Sequence, residues 1–107
     1  MRKIEKEMNK AITEGRNWSS SNTMVRVDPD TNKSMVYLHN NHIATVDRVA
    51  SEWGWYHTVK TFEFRVVVNE KTLFNWPTNT TKSRLRALGV DVYTRDGTVY
   101  IDGSPIV

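Results

Sequence analysis

The chain has 107 residues, enough for one domain, with 38% hydrophobic residues and 4 Trp, 4 Tyr and 3 Phe to supply core area. Fifteen Lys and Arg against 12 Asp and Glu leave a net charge of +3. With no cysteine, a disulfide framework, a thiolate nucleophile and a zinc-thiolate site are excluded, and the composition fits a cytosolic protein. The first 15 residues mix charges of both signs and do not form a secretion signal. Nor does any apolar run approach the roughly 18 residues that span a bilayer, so no membrane partner is expected.

Residues 2–14 predict a helix: Ile4, Met8, Ala11 and Ile12 recur at i, i+4, i+7 and i+8 as one apolar stripe. Lys3 with Glu7 and Lys10 with Glu14 make opposite-charge pairs at i, i+4, and Gly15 supplies the stop. Residues 16–21 read as a polar connector around Trp18. Residues 23–27 and 35–39 alternate as strands around the turn-rich segment 28–32. Asn40 and Asn41 predict a tight turn into a third strand at 42–46, because asparagine tolerates the positive φ such turns need. That turn would pair His39 with His42.

Residues 48–60 carry Trp53, Trp55 and Tyr56 without a clear period. They are expected to form a loop or irregular strand entry, with at least one ring exposed as a binding anchor. Residues 62–68 predict a strand with Phe62, Phe64, Val66 and Val68 on one face and Glu63, Arg65 and Val67 on the other. Residues 69–71 then turn the chain into a short strand at 72–76, ended by Pro77.

A capped basic helix of about two turns follows, with Thr80 or Thr81 as its cap and Gly89 as its exit. A helix this short does not stand alone in water, so Leu85 and Leu88 must dock it on a sheet. Arg86 is then expected to point most directly outward, with Lys82 and Arg84 on its flanks. Asp96-Gly97 specifies a hairpin that pairs Arg95 with Thr98, Thr94 with Val99, Tyr93 with Tyr100 and Val92 with Ile101. Val92, Thr94, Val99 and Ile101 form its core face. Tyr93 and Tyr100 share the other, flanked by Arg95. Residues 102–107 are expected to fray. Together these elements make one α+β domain over 1–107: an N-terminal helix, a mostly antiparallel sheet of meander hairpins, a short second helix and a C-terminal hairpin.

No residues fill the roles of a catalytic site. A Gly-rich phosphate loop is missing, and no paired carboxylates share a periodic face. His39, His42 and His57 are the only histidines, and a turn-flanking polar pair explains the first two better than a zinc site. An HNH-type nuclease would need a helix after that hairpin, where the sequence is strand-like. The reading is therefore non-enzymatic, with no metal and no cofactor.

Lys82, Arg84 and Arg86 are the most suggestive feature. The cap and the helix dipole account for such charges locally, yet Lys82 and Arg86 repel one another at i, i+4 by a few tenths of a kcal/mol. A phosphate or carboxylate partner would offset that repulsion.

Residues 22–23, 36–44 and 78–88, with their Tyr-Leu-His and Thr-Thr-Lys-Ser-Arg-Leu segments, resemble a family of small accessory proteins of tailed bacteriophages. The likeness carries structural signatures and no chemistry. It implies an accessory protein in the cytoplasm of the infected bacterial host that binds and modulates or inhibits a host or defence-system protein, and the basic helix calls for an acidic patch on that partner. An alternative is a small nucleic-acid-binding protein using Lys82, Arg84 and Arg86 with Tyr93 or Tyr100. A second alternative is a minor virion or assembly component, as a homo-oligomer.

Overall fold

The computed structural model describes residues 2–51 and 61–106, with backbone alone at 48–51 and 61–63. Helix α1 (Lys3–Glu14) is followed by β1 (Trp18–Ser20), β2 (Thr23–Val27), β3 (Ser34–Leu38), β4 (Asn41–Ser51) and β5 (Thr61–Val68). These five strands form one antiparallel meander in the order β1-β2-β3-β4-β5. Two short helices, α2 (Glu70–Asn75) and α3 (Asn79–Ala87), lead into a second antiparallel sheet of β6 (Val92–Arg95), β7 (Thr98–Ile101) and β8 (Ser104–Pro105). The architecture is the α+β class that the element order implies.

Gly15 ends α1 in the left-handed region at φ 67°, and its N–H bonds back to the last turn. The helix buries Glu5, Met8, Ala11 and Ile12, while Ile4 is only half-buried. Its inward stripe therefore begins one residue later than the apolar pattern places it, with a carboxylate inside. Met8 and Ile12 join Val25, Val36, Leu38, Ile43, Ala44 and Val46 of the large sheet in one cluster with Leu73, Leu85, Val92, Val99 and Ile106. Complete burial of a residue of this kind is worth about 1.5–3 kcal/mol.

Several local readings are corrected. Trp18 to Ser20 is an edge strand, closed onto β2 by a turn in which Ser21 takes φ 52°; a positive φ at serine is not a sequence signal. The β3–β4 turn is made by His39 and Asn40, both at positive φ (50° and 64°), so Leu38 pairs with Asn41. His42 pairs with Tyr37, across a bulge that leaves Ile43 unmatched, and His39 stands outside the ladder. The bulge lets consecutive Ile43 and Ala44 both be buried.

Residues 72–76 belong to helix α2 and its C-terminal cap, not to a strand. Asn69 caps the helix by accepting from the Thr72 N–H at 3.2 Å, and Leu73 is its buried residue. Helix α3 is capped by Thr78, whose hydroxyl accepts from the Thr81 N–H at 3.1 Å, so it starts ahead of either expected threonine. Leu85 is fully buried, whereas Leu88 is only partly so.

The Asp96-Gly97 hairpin has all four expected pairs. Of its expected core face, Val92 and Val99 are buried, Ile101 is half-buried and Thr94 is exposed. The tail does not fray through residue 106: Ser104 and Pro105 pair with β7, and Ile106 is buried.

Candidate functional site

The three cations of α3 have different fates. Arg84 was expected on an exposed flank, but it points inward and is 3% exposed. Its Nη1 donates to Glu5 Oε2 at 2.8 Å and its Nε to Thr23 Oγ1 at 3.0 Å. The Ser83 hydroxyl donates to the same Glu5 oxygen at 2.6 Å, and Arg2 N–H to the other at 3.2 Å. Burial alone would raise the Glu5 carboxyl. The hydrogen bonds from Ser83, Arg84 and Arg2, with the Arg84 charge, outweigh it and hold the group below the usual glutamate range. Arg84 is thus a structural clamp between α3, α1 and β2, and is removed from the candidate surface.

Lys82 and Arg86 are held outside by neutral groups. Lys82 Nζ donates to Thr94 Oγ1 at 2.9 Å, and Arg86 Nε donates to the Val92 carbonyl at 2.8 Å. Neither forms an ion pair among the described residues. Both lean on β6, so α3 and β6 together fix two cations whose charge is not neutralised locally.

The tyrosines lie elsewhere. Tyr93 and Tyr100 stack across β6 and β7, with ring centroids 5.1 Å apart and planes 8° from parallel. They occupy the strand face opposite Val92 and Thr94, with Arg95 exposed beside them. The hairpin therefore separates the Lys82 contact from the tyrosines by the thickness of a strand. Trp53, Trp55 and Tyr56, and with them the expected exposed ring, lie outside the described residues.

Two large side chains not singled out in the sequence are exposed beside α2: Phe74 at 60% and Trp76 at 53%. A strand reading of 72–76 hid them. Burial of Glu5 did have a signal, since positions 5, 8 and 12 lie on one helical face. At the edge of the large sheet, Ile12, Val46, Phe64, Val66 and Leu88 line an open groove of about 230 Å³. Asn9 and Thr13 are the polar members of an otherwise apolar lining, which offers no acid or base.

His42 is tied into the fold. Since Asn69 Oδ1 accepts from Thr72, its Nδ2 is the atom 3.3 Å from His42 Nδ1. Nδ1 therefore accepts, and Nε2 carries the proton donated to Thr45 Oγ1 at 2.9 Å. Among the described residues no three His, Asp or Glu side chains are grouped to hold a metal, and no helix is long and apolar enough to cross a membrane.

Residues 1–63 match the family described as Kyanoviridae Gp96 protein, a family of phage proteins. The chain belongs to that family. No curated protein and no solved structure matches it.

Proposed function

We propose that this phage protein is a non-enzymatic accessory factor that docks through Lys82 and Arg86 on an acidic patch of a host or bacterial-defence protein, in the cytoplasm of the infected cell, and modulates or inhibits that protein. The observation that supports this reading is the pair of cations held by a hydroxyl and a carbonyl. Their side chains are already ordered, so less conformational freedom is lost on binding. Their charge is left for a partner, where complementarity governs association rate and partner choice.

A nucleic-acid partner is the second reading, favoured by the Tyr93–Tyr100 stack with Arg95 beside it. It is weaker because a phosphate chain following Lys82 would leave the tyrosines on the far face of the hairpin.

The test is the double reversal Lys82→Glu with Arg86→Glu, set beside the wild type in capture from host lysate. Titration with short DNA and RNA at two salt concentrations runs alongside. Docking on protein expects an acidic host protein held by the wild type and lost in the reversal, with the chain still folded and its melting temperature lowered only by the loss of the contacts to Thr94 and Val92. A steep salt-dependent affinity for nucleic acid, lost in the reversal, would favour the second reading. Capture that survives the reversal overturns the docking face.

A further inference from the structure

The sheet edges of this protein are treated unequally. β1 has three residues and β8 two. Short edges of this kind resist pairing with other chains. The outer edge of β6 is occupied at Val92, whose carbonyl takes the Arg86 guanidinium. β5 is different. It has eight residues, contains no proline, pairs with β4 without a register shift, and has no strand on its other side among the described residues. Phe64 on one of its faces is 44% exposed and Val67 on the other 64%.

The phase of this edge follows from one hydrogen bond. Asn69 N–H donates to the Ile43 carbonyl at 2.8 Å. Bonded pairs alternate along an antiparallel ladder, so positions 67, 65 and 63 bond to β4. Positions 62, 64, 66 and 68 turn their N–H and C=O groups outward.

We propose that β5 is a homodimerisation edge: two copies pair antiparallel through it, with Phe64 opposite Phe64 of the second copy on the two-fold axis. Keeping like faces together requires that paired positions share parity. Among such registers, centring on 63 sets Glu63 against itself, and centring on 65 sets Arg65 against itself. Centring on 64 places Glu63 opposite Arg65 twice, Phe62 opposite Val66, and Thr61 opposite Val67. Opposite charges directly across a ladder stabilise it, and like charges destabilise it. Centring on 66 has no such pair of charges and engages less of the strand. The chosen register also sets Phe64 of both copies beside the groove lined by Val46, Val66 and Leu88. An isologous contact of this kind closes at two chains. The paired residues are all on β5, whereas Lys82 and Arg86 bond to Thr94 and Val92 of β6, so the proposal does not rest on the docking face.

The chain has no cysteine, which makes a trapping experiment clean. Phe64→Cys places two thiols on the axis with Cα atoms about 5.5 Å apart, inside the roughly 4.4–6.8 Å that a disulfide spans. Val66→Cys places its own pair about 13 Å apart, four residues out of register. The expected results are a wild type sedimenting at twice the 12.4 kDa chain mass, a disulfide-linked dimer from Phe64→Cys, and none from Val66→Cys. Arg65→Glu should weaken the dimer by at least about tenfold. Glu63→Arg combined with Arg65→Glu should restore it. That swap retains the like-charge pairing of position 65 with Asp47 on β4, so recovery would come from the contact between chains. A monomer at every concentration overturns the proposal. So does trapping at 66 in place of 64, or an unweakened dimer in a folded Arg65→Glu chain.

Discussion

The guanidinium of Arg84 lies 2.8 Å from the carboxylate of Glu5, 79 positions earlier in the chain, and both side chains are almost wholly inside the protein. The pair ties the last long helix to the first. Ser83, Thr23 and the Arg2 backbone add further hydrogen bonds to the pair, and such bonds help to offset the desolvation of a buried pair.

Removing one member strands the other. Glu5→Met or Arg84→Met alone should cost about 3–5 kcal/mol, measured by urea unfolding. Glu5→Met combined with Arg84→Met should lose far less than the sum of the singles. Additive losses would mean that the two charges are not coupled.

The same carboxylate predicts an acid sensitivity. Its folded pKa lies below the ordinary value of 4.5, so the stabilisation is present above that value and is lost as pH falls through the folded pKa. Glu14, lowered by a hydrogen bond from Arg16, and Asp28, lowered by the Asp30 N–H, titrate in the same direction. Glu5→Gln isolates the buried group. Its stability gap to the wild type should narrow as pH is lowered from about 6 to about 3. A gap that widens would reverse the assignment.

Leu85 and Lys82 test the two sides of α3. Leu85→Ala empties a fully buried position and should cost about 2–5 kcal/mol. Lys82→Ala removes an exposed hydrogen bond to Thr94 and should stay within about 0.5 kcal/mol. Equal losses in thermal melts would contradict the orientation of the helix.

The cap of α3 gives a smaller, separate signal. Thr78→Ala leaves the Thr81 N–H without its acceptor and should cost about 1 kcal/mol, with Thr78→Ser retaining most of it. Thr80→Ala should be near neutral; a loss as large as that of Thr78→Ala would move the helix start back to the later threonines.

How much of this was legible depended on how far the deciding partner lay. The β6–β7 hairpin could be read completely, because Asp96-Gly97 fixes a turn and its register follows by counting. The β3–β4 turn was misplaced by one residue, since nothing local announces that Ile43 bulges out of the ladder. Residues 72–76 are too few to distinguish a strand from a helix by period, and the Asn69 cap looked like part of a turn. At the candidate site, Arg86 was legible as exposed and Lys82 as a flank. Arg84 was not legible, because its direction is set by a carboxylate in α1 that the local sequence does not mention. The separation of the Lys82 contact from Tyr93 and Tyr100 was already contained in the hairpin register. What was missing was the choice of strand face on which α3 lies.

The distance between Glu5 and Arg84 along the chain also orders events during synthesis. The carboxylate leaves the ribosome 79 residues before the guanidinium that neutralises it. Domains generally fold as units as the chain is made, yet here α1 cannot seal its charged end against the sheet until α3 exists, because an unpaired carboxylate would have to give up its water. The expected order is therefore the meander first, with α1 seating fully only once Arg84 of α3 is free to reach Glu5.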